Sequence, residues 1–202
     1  MGQKGPLLAL CDVDKQHLAN RTADAKKRGH DPKGYHDFRE LCARDDLDVI
    51  HICTPPHWHA LMAIEAAKQG KDVWCEKPMS RTIGEGIAMV KAMRQHKTIF
   101  RINTWFRFKD GFYGMGTPVA PIRKAVMHGL LGDGPLTVTV GGNQGFNWKF
   151  GWSGKIDQPE EKIPAHFDYN FWLGPAPVKP YTRHRTHGSF RGYWDYDGGG
   201  LG

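Results

Sequence analysis

Three short stretches place ionisable or hydrogen-bonding side chains directly behind apolar runs: Asp12-Val13-Asp14, Cys53-Thr54-Pro55-Pro56-His57-Trp58-His59 and Cys75-Glu76-Lys77-Pro78. In an open parallel sheet, ligands gather at the carboxyl ends of the strands, so the residues just after each strand are where chemistry is expected. A carboxylate at the first of these tips, Asp12, can accept two hydrogen bonds from the ribose hydroxyls of an adenine nucleotide and would repel a ribose phosphate. Asp14 has a competing use as a helix N-cap. Two prolines behind the second run make a stiff turn that can present a flat wall to an aromatic ring. At the third tip, Lys77 beside Glu76 can give or take a proton if partial burial disfavours the charged amine; fully solvated, it would not. His57 and His59 stand two residues apart at a helix start, where they diverge. No third ligand is evident, so no metal is expected there, and capping or turn formation is the better reading of His57.

The elements that would carry these tips alternate. Apolar runs at Leu7 to Asp12, Asp48 to Cys53, Asp72 to Cys75 and Thr98 to Ile102 read as strands. Between them, Lys15 to Arg28, Asp37 to Arg44, His57 to Gln69 and Ile83 to His96 carry helical spacing, the third ending at Gly70. Nearly continuous apolar strands alternating with helices predict an α/β fold with a parallel, doubly wound sheet. Beyond it, Pro118 to Leu131 reads as a helix and Leu136 to Gly141 as an alternating strand, while Asn143 to Gly202 reads as long loops that need a scaffold. Composition shifts near residue 105: the first 104 residues hold 7 Gly and 5 aromatics, the remaining 98 hold 18 of each. The expected organisation is therefore a dinucleotide-binding domain over 1–105 and a second domain over 106–202.

Composition removes several function classes. The net charge of +7 is spread over both halves, as on an ordinary solvated surface, so no nucleic-acid partner is expected. No apolar stretch approaches the roughly 18 residues of a membrane span, and Met-Gly-Gln-Lys-Gly-Pro lacks the apolar run of a secretory signal. The expected location is the cytoplasm, provided no export signal precedes these residues. The 4 cysteines form no C-x-x-C pair and suit buried positions in a reducing compartment.

Taken in order, Ala-Leu-Cys-Asp-Val-Asp (9–14), Thr-Pro-Pro-His-Trp-His-Ala (54–60), Ala-Ala-Lys-Gln-Gly-Lys-Asp-Val-Trp-Cys-Glu-Lys-Pro (66–78), Trp-Leu-Gly-Pro-Ala-Pro (172–177) and Tyr-Trp-Asp-Tyr-Asp-Gly-Gly-Gly (193–200) resemble the Gfo/Idh/MocA oxidoreductases. That group includes glucose-fructose oxidoreductase and inositol dehydrogenase. The resemblance implies a Rossmann-like sheet followed by an α+β substrate domain, and hydride transfer between a nicotinamide cofactor and a sugar or polyol hydroxyl. By that resemblance Asp12 holds the adenosine ribose, favouring NAD over NADP. Thr54, Pro55 and His59 line the nicotinamide side, and Glu76 and Lys77 sit where nicotinamide meets substrate. Lys77 would move the proton of the reacting hydroxyl, and Asn103 and Arg107 would face the same cleft, Asn103 toward cofactor and Arg107 toward substrate.

Two departures from the family pattern shape the expectation. The sequence has no Gly-x-Gly-x-x-Gly, since Gly2 and Gly5 do not form one, and it stops at Gly202, before the Asp and His with which the family completes its catalytic group. The expectation is accordingly a part of such an enzyme: an incomplete Rossmann-like sheet and the opening of a substrate domain, inactive alone and of marginal stability. The family is usually homo-oligomeric through a C-terminal sheet expected to be absent here. The alternative is a non-catalytic remnant of the same fold that binds a nucleotide or a partner.

Overall fold

A computed structural model of the chain describes residues 5–104, 119–135, 137 and 154–198. The order of elements is β1 (Ala9–Cys11), α1 (Lys15–Lys27), β2 (Lys33–Tyr35), α2 (Phe38–Cys42), β3 (Val49–Ile52), α3 (Pro56–Lys68), β4 (Asp72–Glu76), α4 (Ile83–His96) and β5 (Phe100–Asn103), then α5 (Val119–Met127) and α6 (Tyr169–Leu173). The fold is α/β with parallel strands. β1 pairs with β2 in one sheet, and a second sheet has the order β3-β4-β5. None of the described helices is long and apolar enough to cross a membrane. By contacts the chain divides into one compact unit of residues 1–102 with 149–202, and another of residues 103–148.

Local chemistry sets the helix ends. Asp14 caps α1, its Oδ1 accepting the amides of Gln16 at 2.8 Å and His17 at 3.1 Å. Pro56 opens α3 at a position where no amide is required. Thr82 and Glu85 form a reciprocal capping box on α4. In the β3–β4 ladder, Ile50 faces Val73 and Ile52 faces Cys75, and these four residues point into the core. Ala60, Ala63, Ala66 and Ala67 of α3 are buried in that same core with Met89 and Met93 of α4. The four small side chains let α3 lie close to both neighbours.

β2 was not expected from the sequence. Lys-Gly-Tyr has no apolar run; the strand exists because it pairs with β1, and only Tyr35 is buried. The expectation of long loops over Asn143 to Gly202 is corrected for its described part. Residues 154–198 fold into α6 and two 3₁₀ turns, Arg183–Arg185 and His187–Gly192, around a second core of Phe167, Tyr169, Trp172, Leu173, Tyr181, Phe190, Tyr193 and Tyr196. Aromatic packing supplies the core that periodicity in this segment did not announce. The segment is stitched to the first core by backbone: Lys15 N–H donates to His166 O at 2.8 Å and Asp168 N–H to Val13 O at 3.1 Å. The expected strand over Leu136 to Gly141 falls almost wholly outside the described residues.

The Trp172-to-Pro177 motif owes its glycine to this docking. Gly174 ends α6 at φ 49°, ψ −116°, a conformation that side chains disfavour, and a Cβ placed there would come within 2.1 Å of Trp58 Cζ2. Gly174→Ala is expected to destabilise the fold by about 2–4 kcal/mol in urea unfolding, from backbone strain plus the displaced indole. Gly188→Ala, where a Cβ meets nothing within 4 Å, should change stability by less than about 0.5 kcal/mol.

Candidate active site

The parallel register of β3 and β4 fixes where the tips meet. Because Ile52 pairs with Cys75, Thr54 and Lys77 each stand two residues past a matched pair, at the same end of neighbouring strands. His59, on the first turns of α3, straps the two tips together. Its Nε2 lies 2.8 Å from Thr54 O and its Nδ1 2.8 Å from Pro78 O, while the ring is almost wholly buried at 1% exposure. Both ring nitrogens thus face carbonyl acceptors, so His59 organises the backbone of both turns rather than offering a free nitrogen. The Lys77–Pro78 peptide bond is cis. Lys77 itself is exposed, so the partial burial that would favour its neutral amine is not met by the chain's own packing, while Glu76, Thr54 and Pro55 are half-buried. Thr54 Oγ1 contacts Met62 Sδ at 3.6 Å.

A carboxylate absent from the sequence-based candidates joins this group. Asp197 is buried, at 6% exposure, with its Oδ1 accepting the Gly198 amide at 2.7 Å. Burial pushes its carboxyl above the usual range, while the Gly198 amide, Arg191, Lys77 and His59 act in the opposite sense. Arg81, four residues after Lys77, donates from Nε and Nη2 to Trp194 O at 2.9 and 2.6 Å, tying the Asp197 segment to the loop behind β4. The available sequence signal was the acidic residue directly before the glycine run in Tyr193 to Gly200.

Asp12 occupies a different neighbourhood. It lies just past β1, its amide donating to Tyr35 O at 3.2 Å; its Oδ1 accepts the Asp14 amide at 2.9 Å, and its Oδ2 lies 4.0 Å from His17 Nδ1. Burial raises its pKa, chiefly against the Asp14 amide and His17. Asn103 closes β5 and is half-buried, and Arg107 lies outside the described residues. All four cysteines are free, and burial lifts the Cys75 and Cys11 thiols to about 12 and those of Cys53 and Cys42 to about 11, which leaves no activated thiolate. A groove of about 770 Å³ runs between Met79, Arg81 and the Ile83, Ile87 and Val90 face of α4, and includes none of the candidate residues.

Comparison with known proteins agrees with this architecture. Residues 3–104 match the model described as oxidoreductase family, NAD-binding Rossmann fold, and residues 115–202 match that of the oxidoreductase family C-terminal alpha/beta domain. The chain belongs to the Gfo/Idh/MocA oxidoreductase family. Among curated relatives, glycosyl hydrolase family 109 protein 2 of Shewanella sp. (strain ANA-3) is 40% identical over 84 residues, which is 39% of this chain and 18% of that protein. Levoglucosan dehydrogenase of Pseudarthrobacter phenanthrenivorans is 33% identical over 128 residues, covering 63% of this chain and 31% of that protein. Each of these matches thus spans less than a third of the relative's length. The crystal structure of myo-inositol 2-dehydrogenase from Lactobacillus plantarum superposes with a TM-score of 0.53 at 26% identity, covering 64% of this chain and 35% of that one.

Two features of the described residues have the chemistry that NAD, the cofactor of this Rossmann family, would need. Asp12 puts a partly exposed carboxylate at the tip of β1, where a ribose is held in such folds, and the Thr54-Pro55 turn stands level with Lys77.

His57, beside the strap, provides a pH test of the local packing. Its Nε2 lies 3.0 Å from Trp172 O, and burial lowers its pKa to about 4. The unfolded chain, with a histidine pKa of about 6.5, binds that proton more readily than the folded one. The stability from keeping His57 neutral is complete above pH ~6.5 and falls by about 3 kcal/mol as the pH drops to ~4. Chemical unfolding across that range should record the loss, and His57→Gln, which can still donate to Trp172 O, should remove most of it.

Proposed function

We propose that this chain supplies the cofactor-binding part, and the proton-transfer lysine, of an NAD-dependent dehydrogenase acting on a sugar or polyol hydroxyl. The observation that carries the reading is the pairing of the Thr54 and Lys77 turns at one end of adjacent parallel strands, strapped by the buried His59. Asp12 accepts the adenosine ribose hydroxyls, and its negative charge selects against a ribose phosphate. Thr54 and Pro55 flank the nicotinamide. When bound, NAD would accept the hydride released as the carbinol carbon becomes a carbonyl, and Lys77 Nζ, its neutral form favoured once substrate covers this exposed side chain, would take the hydroxyl proton. Glu76 orients that turn from the end of β4, Asp197 adds a negative charge that favours the protonated lysine formed in the step, and by family resemblance Asn103 is assigned to the cofactor and Arg107 to the substrate. The levoglucosan and inositol dehydrogenases among the similar proteins support a cyclic polyhydroxylated substrate.

A second reading has a specific observation behind it, the 40% identity to a glycosyl hydrolase family 109 protein. A glycosidase that uses NAD returns the hydride within one turnover and accumulates no NADH, whereas a dehydrogenase forms one NADH per carbonyl. The chain should quench or enhance NADH fluorescence on binding, and a longer enzyme that contains it should accumulate NADH with NAD and a panel of cyclic polyols. Lys77→Met is expected to slow that accumulation by about 10²–10⁴-fold while NADH binding persists. Turnover within a few-fold of the parent would reject the role of Lys77. Release of a leaving alcohol from glycosides without NADH would favour the glycosidase, and no fluorescence change at millimolar NADH would leave the fold without its cofactor role.

A further inference from the structure

Away from Lys77, where the second core docks on the start of α1, an aspartate and three histidines converge. Asp14 is buried, at 2% exposure, and only its Oδ1 is spent on capping α1. Its Oδ2 lies 3.6 Å from His187 Nε2 and 3.6 Å from His166 Nε2. His17, one turn into α1, has its ring centroid 4.6 Å from that of His187, and one donor atom from each of Asp14, His17 and His187 falls within 4.8 Å of the other two. We propose that Asp14, His17 and His187 form a binding site for one divalent transition-metal cation of the zinc class.

The distances carry the argument. At 3.6 Å the carboxylate and imidazoles are too far apart to be hydrogen-bonded. Around a tetrahedral ion with bonds of about 2.0–2.2 Å, neighbouring donor atoms stand about 3.3–3.6 Å apart, which is the Asp14–His187 separation found here. His17 is half exposed on the helix surface, and its donor atom already lies within 4.8 Å of those of Asp14 and His187. One carboxylate with two imidazoles is a borderline nitrogen and oxygen set that suits zinc, cobalt or nickel better than calcium or magnesium.

The surroundings favour a cation. Asp12 Oδ2 lies 4.0 Å from His17 Nδ1, so two carboxylates border the group and a dication offsets both charges. His166 stands beside the same Asp14 oxygen as a neighbouring donor. The ligands come from positions 14, 17 and 187, so a bound ion would clasp the aromatic segment to the start of α1.

The test uses the tag-free full chain, with Zn²⁺ titrated against a chromophoric chelator and Co²⁺ followed by its visible ligand-field bands. Asp14→Asn keeps a good N-cap while removing the ligand charge, and His17→Gln and His187→Gln alter exposed or half-buried rings, so all three should fold. The expected result is one equivalent of metal bound by the parent chain, at least about tenfold weaker in each variant, with the parent's melting temperature raised by Zn²⁺. His184→Gln, outside the group, should bind as the parent does. Absence of saturable binding below about 1 mM in the parent, or equal affinity in the parent and all three variants, overturns the site.

Discussion

The carbonyl oxygen of Trp172 accepts from two side chains of α3, His57 at 3.0 Å and Trp58 Nε1 at 2.9 Å. Both donors are buried, so each would otherwise carry the full cost of an unmade hydrogen bond, and they meet where the aromatic core touches the α/β core. The rest of the aromatic segment depends on this contact. It has one short helix and two 3₁₀ turns, and therefore few internal backbone hydrogen bonds with which to hold its own shape. Gly174 lets the chain turn against the Trp58 indole without a side chain in the way. The short backbone bridge between Asp14 and Phe167 completes the dock.

Docking has consequences for both clusters of functional side chains. At one end it brings Asp197 into the electrostatic range of Lys77 and His59, so a carboxylate more than a hundred residues away in sequence joins the strand-tip group. At the other it sets His166 and His187 over the buried Asp14. The same aspartate therefore serves twice, one oxygen ending a helix and the other facing imidazoles. His59 plays a comparable double part, since its buried ring lies within hydrogen-bond distance of both the Thr54 and the Pro78 carbonyl and so links the two turns.

Much of the first hundred residues is legible from periodicity. The helix over Ile83–His96 begins and ends where its apolar spacing and its Thr82-to-Glu85 capping box require, and Asp14 caps α1 as its residue type suggests. β2 escaped notice because a three-residue strand carries no period, and its existence is decided by pairing with β1. Residues 154–198 escaped for a related reason. Their order comes from aromatic rings meeting across many residues, such as Trp172 with Tyr196 at 4.8 Å, and no local spacing encodes such a meeting.

The sequence by itself determined the class of this protein: parallel α/β alternation, strand tips bearing Asp12, Thr54 and Lys77, and ordered motifs enough to place it among Gfo/Idh/MocA oxidoreductases. Such information is local, being written in side-chain period, caps and short motifs. Only the tertiary structure decided that His59 is a buried strap, that Asp197 lies within electrostatic range of Lys77, and that Asp14 shares its carboxylate with histidines from the far end of the chain. Those are matters of burial and long-range approach, and a side chain's partner across more than a hundred residues is selected by packing that no window of sequence contains.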